Sequence, residues 1–352
     1  MPTDISVPGP WHGKDDHDVR KGFAAHIKAH PAFPERFAGV AIGVKPPLEQ
    51  HPRIVLRGVT VDVAKRGELS LDANKRNDCW VPCNGCGPEP KFFKDGDLIR
   101  NDNGWLFLLG KDCGEKHFGQ SYAEETQRFH REEQRRRARD FLTDQIEHVA
   151  QWRACSVSLQ PTALEAAHAH ATLNKTPTFV REVRQAILKD HGKLKVWGSI
   201  QRREKNGGLI SEPALIDFGR VTGAAAVGIN SDFLIRLQRA DDALAQFGPS
   251  DETALDRICQ AEAEDELPEL ASQVRQALTE THNVRTELAQ FSAFFSKQNL
   301  ATLKKWLKHR DCPIRLLAFS DKDVWWFKTH EKGTRNPIDT TPFRAPLPNL
   351  PQ

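Results

Sequence analysis

The chain has 352 residues, of which 28% are charged and 39% are hydrophobic, and its net charge is +3. This length allows two or three domains with cores of their own, and the composition is typical of a helix-rich protein. No apolar run is long enough to span a bilayer, and residues 1–14 lack the apolar segment of a signal peptide. We therefore expect a cytoplasmic protein without a membrane partner, whose seven cysteines are ligands or free thiols rather than disulfides.

Charge is distributed unevenly along the chain. Residues 121–205 contain 16 basic and 11 acidic side chains, residues 241–290 contain 3 and 12, and residues 291–335 contain 10 and 4. One interpretation is complementary packing between these segments, within one chain or between protomers. The other is a basic face for an acidic partner, shielded by the acidic segment. We favour the first, because the net charge is too small to indicate nucleic acid by itself.

Residues 1–71 predict a small N-terminal antiparallel sheet. The segments 40–44 and 54–63 are rich in β-branched residues and partly alternate, and Leu69–Leu71 follows a turn. The preceding residues 1–30 are polar, with scattered histidines that we interpret as surface residues.

A cluster of cysteines and one histidine follows. Cys83 and Cys86 enclose an Asn-Gly pair that allows the tight turn of a zinc knuckle. Turn signals between apolar runs then predict short strands over 92–109. Cys113 and His117 come next, four residues apart on one side of a helix start. Two thiolates and a Cys/His pair predict a closed tetrahedral site, which suits a structural Zn²⁺ ion.

Two alternatives stay open for this cluster. Cys79 could replace His117 as the fourth ligand, and a site of thiolates alone would also admit an iron–sulfur cluster. In general layout, residues 79–117 resemble treble-clef zinc modules, which combine a knuckle, a hairpin and ligands at a helix start. That class includes nucleic-acid binders, protein-interaction modules and a few nucleases, so the resemblance implies no specific activity.

The segment 121–155 lacks glycine and proline and predicts one long charged helix. Apolar side chains form a stripe only near its ends, so we expect its middle to cross solvent between two packed parts. Five arginines in this middle could contact a phosphate backbone: Arg131, Arg135, Arg136, Arg137 and Arg139. Glu132 and Glu133 lie at pairing distance on the same helix, so a solvated, ion-paired face is the simpler interpretation.

The C-terminal half predicts helices and two hairpins. Residues 161–174 and 177–189 read as helices before a hairpin around residues 206–208, an order shared by winged helices and other small α+β domains. From Leu270 to Phe295, apolar or small residues repeat by four and three. This heptad seam belongs either inside a helical bundle or between the two chains of a homodimer.

These elements predict a helix-rich α+β protein with a treble-clef-like zinc module, a long connecting helix and a helical C-terminal part that ends in a β-hairpin. The predicted regions are an N-terminal β segment (1–71), the zinc module (72–120), the connecting helix (121–155), a small α+β domain or winged helix (156–230), a helical domain with a terminal hairpin (231–332) and a disordered Pro-rich tail (333–352).

The sequence contains no phosphate-binding glycine loop, nucleophile elbow or metalloprotease motif. We therefore expect a non-catalytic zinc protein that binds nucleic acid, or a protein partner in a regulatory or multi-subunit complex. One alternative is a metal-dependent nuclease or hydrolase with a C-terminal site at Asp321, Asp323 and Lys328. Another is a protein-interaction scaffold without nucleic acid.

Overall fold

The protein is helix-rich with small antiparallel sheets, which confirms the predicted class at that level. It divides into two compact units, unit 1 over Met1–Arg136 and unit 2 over Arg137–Gln352. The computed structural model describes residues 4–29, 37, 39–41, 44–48, 51–59, 81–86, 92–93, 96–203, 209–228, 232–314, 316–321, 324–328 and 334–351.

In its described part, unit 1 combines short strands with helices. Its elements are α1 (Asp16–Ala29), β1 (Arg53–Val59), β2 (Val81–Pro82), β3 (Phe92–Phe93), β4 (Gly96–Arg100), β5 (Leu106–Gly110), α2 (Lys111–Phe118) and the first part of α3 (Gln120–Leu173), which continues into unit 2. Strands β1, β4 and β5 form an antiparallel sheet in that order, and β2 pairs with β3.

The sheet of unit 1 joins two regions that the sequence predicts as separate. Strand β1 pairs with β4, so that Ile54 lies opposite Ile99, and Val40 forms a parallel bridge with Leu106. Residues 106–109 of β5 are all fully buried, so other segments of the chain must pack against both faces of this strand. The predicted strand at Leu69–Leu71 lies outside the described residues.

Helix α1 was not predicted from the polar N-terminal segment. Its 14 residues include Val19 and Phe23, which are four residues apart and almost completely buried. A pair at this spacing lies on one helix face, so these two apolar residues attach a largely polar helix to the core.

Unit 2 contains the remaining helices and two further sheets among its described residues. The helices are α4 (Pro177–Lys189), α5 (Phe233–Ala245), α6 (Asp251–Ala263), α7 (Leu267–Phe294) and α8 (Lys297–Lys308); the strands are β6 (Lys193–Arg203), β7 (Leu209–Arg220), β8 (Leu317–Asp321), β9 (Val324–Lys328) and β10 (Asn336–Asp339). Strands β6 and β7 form one antiparallel pair, and the other sheet has the order β10-β9-β8.

Helix α3 is one element of 54 residues where the sequence predicts two helices. Pro161 lies inside it and removes one backbone hydrogen bond to the carbonyl four residues earlier. That carbonyl belongs to Val157, which is exposed and can be solvated, whereas Leu159 and Ala163 on either side of the proline are fully buried. Packing on both sides of Pro161 therefore maintains the helix across it.

The heptad seam of α7 is buried inside this chain. All of its positions are less than 4% exposed: Leu270, Val274, Ala277, Thr281, Val284, Leu288, Phe291 and Phe295. Its N-terminal half packs with α3, α5 and α6, and its C-terminal half packs with the aromatic core of unit 2. The structure thus uses the seam within a helical bundle, one of the two predicted arrangements.

The C-terminal residues differ from the predicted disordered tail. Residues 334–351 are described, and β10 pairs with β9. Ile338 is fully buried, and the ring of Phe343 stacks on Phe295 with 5.0 Å between centroids. From sequence, the prolines of this segment predict disorder, but the burial of Ile338 and Phe343 orders it against the core. The β8–β9 pair, near the predicted terminal hairpin, is therefore part of a three-stranded sheet in which β9 is the central strand.

Candidate metal centre

Three cysteine sulfurs converge in unit 1. The Sγ atoms of Cys83, Cys86 and Cys113 all lie within 4.8 Å of one another, and those of Cys86 and Cys113 are 3.3 Å apart. Cys83 is 2% exposed, and the other two are partly buried. Three of the predicted ligands are thus brought together by the fold, and this arrangement could hold a metal ion.

The knuckle that presents Cys83 and Cys86 is a short 3-10 turn over Asn84–Cys86. A side chain at Gly85 would approach Leu109 to 3.0 Å and the Cβ of Cys113 to 3.1 Å, so glycine lets the knuckle lie this close to α2 without displacing its neighbours. The backbone N–H of Gly110 points at Cys83 Sγ at 3.4 Å. Such N–H groups stabilise a thiolate and orient it towards a metal.

Asn84 fixes the knuckle to the rest of unit 1. Its amide oxygen accepts a hydrogen bond from the backbone N–H of Leu108 at 2.7 Å, and its amide nitrogen donates to the carbonyl of Ala41 at 2.5 Å. The residue is 2% exposed, so both bonds form away from solvent. Sequence reasoning missed this role. The only sequence signal is an asparagine between two cysteines, and an exposed turn would also have asparagine at this position.

Strand β5 and helix α2 bring Cys113 to the knuckle. Helix α2 begins directly after Gly110, so Cys113 lies in its first turn and His117 one turn later. A side chain at Gly114 would approach the ring of Tyr122 to 2.3 Å, which shows how closely α2 packs against the start of α3. The helix start predicted after the hairpin therefore brings Cys113 close to the other two cysteines.

His117 lies beside the sulfurs without joining their cluster. Its Nε2 is 2.8 Å from the carbonyl oxygen of Gly85, inside the knuckle. The imidazole is thus close to the centre but is hydrogen-bonded to backbone, and its role as fourth ligand stays a prediction. The alternative ligand Cys79 lies outside the described residues.

The thiols of Cys83 and Cys113 are difficult to ionise without a cation. Burial raises the pKa of Cys83, and charge repulsion from Cys86 acts in the same direction. Burial together with hydrogen bonds from Cys86 and Cys83 raises the pKa of Cys113 to about 12. A positive ion among the sulfurs lowers these pKa values, because it stabilises thiolates that otherwise repel one another.

A buried charged network lies in the same unit. Asp97 on β4 is completely buried and accepts hydrogen bonds from the Tyr122 hydroxyl and from Arg57 Nε, the latter at 3.3 Å. Arg57 also contacts His130 Nε2 at 2.9 Å. Burial, followed by the hydrogen bond to the Asp97 carboxylate, raises the pKa of Tyr122 above its ordinary value. The network connects β1, β4 and α3, and no local sequence pattern indicated it.

The five predicted nucleic-acid-binding arginines are all exposed on α3. Arg136 and Arg139 are among those that form ion pairs with carboxylates of the same chain. Arg136 pairs with Glu133 at 2.8 Å, and Arg139 pairs with Glu262 at 2.9 Å. The second pair, together with Arg153 and Asp241 at 3.0 Å, joins the basic and acidic segments of unit 2. This agrees with the interpretation of complementary packing within one chain.

The proposed C-terminal hydrolase site is described only in part. Asp321 ends β8 and Lys328 ends β9, at opposite ends of the register in which Leu317 faces Lys328. Asp323 lies outside the described residues. The described backbone therefore places Asp321 and Lys328 at different ends of the β8–β9 pair.

Comparison with protein-family models, curated proteins and solved structures finds no match to this chain. None of the helices in the described ranges has the length and apolar character needed to cross a membrane. Any statement about function must therefore come from the geometry of the chain itself.

Proposed function

We propose that this protein is a non-catalytic zinc protein that acts as an assembly or regulatory subunit. The observation that carries the proposal is the convergence of three cysteine sulfurs from a knuckle and a helix start. The general layout of knuckle, β4–β5 hairpin and α2 supports the likeness to treble-clef modules, in which the metal maintains the fold.

The spacing of the sulfurs supports a single tetrahedral ion. A Zn–S distance of about 2.3 Å separates two sulfurs of a tetrahedron by about 3.8 Å. The spacings here, 3.3 Å between Cys86 and Cys113 and at most 4.8 Å for any pair, lie around that value. In a [4Fe–4S] cluster each cysteine binds a different iron, and in a [2Fe–2S] cluster at most two cysteines share one, so three cysteines of such a cluster do not all lie this close together.

His117 is the fourth ligand in this proposal. Histidines that bind metals usually donate their second ring N–H to a carboxylate or a backbone carbonyl. The contact between His117 Nε2 and the Gly85 carbonyl is of this type, and it leaves Nδ1 as the atom that would bind the ion. Four protein ligands leave no open position for substrate or water, which favours a structural role over catalysis.

The binding partner in this proposal is protein. Arg136 and Arg139 already pair with carboxylates, so a phosphate backbone would have to displace those contacts. Large apolar side chains are exposed on β6 and β7, and exposed apolar patches mark protein-binding surfaces. Nucleic acid is the second candidate, favoured by the exposure of Arg131, Arg135 and Arg137 along one helix.

Elemental analysis of the purified protein tests the metal assignment. We expect one zinc per chain, its loss in Cys86→Ser, and its retention in Cys312→Ser, which changes a buried cysteine of unit 2. Loss in His117→Ala with retention in Cys79→Ser supports the proposed ligand set, and the opposite pattern assigns the fourth position to Cys79. Iron with visible absorbance, or no bound metal in the wild type, contradicts the proposal.

Salt-dependent binding separates the two partner classes. If nucleic acid is the partner, affinity for duplex or single strands falls steeply with salt and falls further when Arg135, Arg136 and Arg137 are changed to Ala. We expect no such binding at low salt, and instead a protein in the complex isolated from cells. Tight binding that the triple variant abolishes would replace the protein-partner proposal by the nucleic-acid one.

A further inference from the structure

The β6–β7 hairpin of unit 2 is long and unusually exposed. Its strands have 11 and 12 residues and pair from Lys193 opposite Arg220 to Arg203 opposite Leu209. Six large apolar side chains on it are 40% to 66% exposed: Trp197, Ile200, Leu209, Ile210, Leu215 and Ile216. A two-stranded sheet is only marginally stable alone, and exposed apolar patches of this kind mark interaction sites.

The backbone of β6 shows which of its groups face away from β7. The N–H of Trp197 donates to the carbonyl of Asp311 at 3.0 Å, and the carbonyl of Lys195 accepts from Trp306 Nε1 at 2.8 Å. These odd-numbered residues therefore direct their backbone groups outwards. Because the direction alternates with period two along a strand, the backbone groups of Ser199, Gln201 and Arg203 also point outwards.

The outer edge of β7 is interrupted by a proline, whereas the outer edge of β6 contains none beyond the residues already bonded to Asp311 and Trp306. Pro213 lies opposite Ser199, so its ring nitrogen occupies the outer edge of β7, where it offers no N–H. Proline at such a position protects an edge strand from pairing with another chain. Strand β6 has no proline, and in the described part of the chain β7 is its only strand neighbour. The outer edge of β6 can therefore accept a further strand.

We propose that the outer edge of β6 pairs with the β6 of a second copy of this chain. The outward residues 199, 201 and 203 are symmetric about Gln201, so an antiparallel pairing with a two-fold axis at Gln201 uses all three. Ser199 then faces Arg203 of the partner subunit, and Gln201 faces Gln201 of the partner subunit. The result is a four-stranded sheet in the order β7-β6-β6-β7, an isologous interface of the kind most homodimers have.

The ion pairs of the hairpin favour a second copy over nucleic acid. Lys193 pairs with Asp217 at 2.6 Å, Lys195 with Asp190 at 2.8 Å and Arg202 with Glu212 at 3.8 Å. A phosphate backbone would find these cations already neutralised. In the register centred on Gln201, no arginine lies opposite an arginine, because Arg202 faces Ile200 and Arg203 faces Ser199 of the partner subunit.

The exposed apolar side chains of the hairpin also favour a protein partner. Residues opposite each other in the register share a face, so Ile200, Ile210 and Ile216 lie on one face and Trp197, Leu209 and Leu215 lie on the other. A specific interface needs about 1,000 Å² of total buried area. Pairing of the two short strand edges buries only a small part of this area, so the exposed apolar side chains of both copies must bury the remainder. We expect a concentration-dependent dimer.

Sedimentation of the full chain over a range of concentrations tests this interface. We expect a monomer–dimer equilibrium for the wild type and a monomer for Gln201→Pro, which blocks the outer edge of β6 as Pro213 blocks that of β7. Ser211→Pro is the matched control. It lies opposite Gln201 and faces the outer edge of β7, so the dimer should persist.

A cross-link provides a second measurement in case the proline variant fails to fold. The Cα atoms of a directly opposed, hydrogen-bonded pair are about 5.5 Å apart, which suits a disulfide. In a Cys259→Ser background, Gln201→Cys should form a covalent dimer on mild oxidation, and Ser211→Cys should not. A wild type that is monomeric at every concentration overturns the proposal, as does equal cross-linking of both variants or association that requires added nucleic acid. The interface does not depend on the metal, so Gln201→Pro should keep one zinc per chain.

Discussion

In the described part of the chain, unit 1 buries two carboxylates besides neutral side chains such as Asn84, whereas unit 2 buries no carboxylate. In the described part of unit 1, Asp16 and Asp97 lie in the interior and pair with Arg53, Arg100 and Arg57. In the described part of unit 2, the buried polar residues are Ser, Thr, Asn and His, and several bond to backbone, as Thr281 does to the carbonyl of Ala277. In the proposed zinc-bound form, the three clustered cysteines add thiolates to the interior of unit 1.

Aromatic rings pack together in both units, and among the described residues the larger cluster lies in unit 2. In unit 2 the rings of Phe291, Phe294, Phe295, Trp325 and Phe343 contact one another with centroids 4.9 Å to 6.4 Å apart. Such a core gains its stability from buried area and contact and needs no partner to neutralise it. A buried carboxylate or thiolate is stable only while its partner is present. The comparison therefore predicts that unit 1 depends on pairing and on metal, and unit 2 on packing volume.

Metal removal should have the largest effect and should affect unit 1 alone. Zinc contributes about 10–16 kcal/mol in zinc-finger peptides, which matches or exceeds the total stability of most domains. A chelator or Cys83→Ser should make residues of unit 1 sensitive to protease while unit 2 stays resistant. Limited proteolysis with mass spectrometry measures this, with Cys312→Ser as the control. Equal loss of protection in both units would show that the two interiors do not differ as proposed.

Phe291→Ala should have the next largest effect, and in unit 2. Phe291 is fully buried and contacts the rings of Phe233, Phe295 and Phe343. Truncation of a buried phenylalanine costs about 3–5 kcal/mol through lost burial and the cavity that remains. Denaturant unfolding of the variant measures this cost, and its zinc content should be unchanged. Loss of zinc in Phe291→Ala would mean that the site depends on the packing of unit 2.

Tyr122 provides a smaller and pH-dependent test of unit 1. Its raised pKa means that the folded state keeps the phenol proton after the unfolded state, with a value near 10.0, has lost it. Below pH 10 the phenol contributes no pH dependence, and above it stability falls as pH rises. Tyr122 is the only tyrosine, so tyrosinate absorbance reports its ionisation directly.

The variant Tyr122→Phe isolates the contribution of the phenol. It should remove the alkaline loss of stability due to the phenol and should cost about 1–3 kcal/mol near neutral pH, because Asp97 loses a buried donor. Thermal unfolding from pH 8 to pH 11 compares the two proteins. Ionisation of the wild-type tyrosine near pH 10 without unfolding would contradict the buried pairing with Asp97.

The two units also differ in how much of them could be predicted from sequence. The helices of unit 2 and the seam of α7 follow from apolar spacing, because packing at i and i+4 leaves a periodic signal. In unit 1, Cys83, Cys86 and Cys113 were recognisable because cysteines at knuckle spacing, followed by one at a helix start, are typical of zinc sites. Local patterns therefore predicted most of the helices of unit 2 and three residues of the candidate site.

Long-range pairing left no such signal. Asp97 and Tyr122 are 25 residues apart, and neither has an unusual local context. The pairing of β1 with β4 likewise joins segments about 40 residues apart, beyond any hairpin signal. From local propensity alone, Pro161 predicts the end of a helix and the C-terminal prolines predict disorder. Tertiary packing overrides both preferences.

Arg136→Ala should have the smallest effect and tests whether charge matters in the same way at the surface. Arg136 is 46% exposed and pairs with Glu133 three residues earlier on α3. Exposed pairs of this type contribute about 0.3–0.5 kcal/mol, since water already solvates both groups. We expect a change within about 0.5 kcal/mol in denaturant unfolding and no change in zinc content. A cost comparable to that of Tyr122→Phe would mean that this arginine is held as firmly as the buried charges of unit 1, and the distinction between interior and surface charge would then fail.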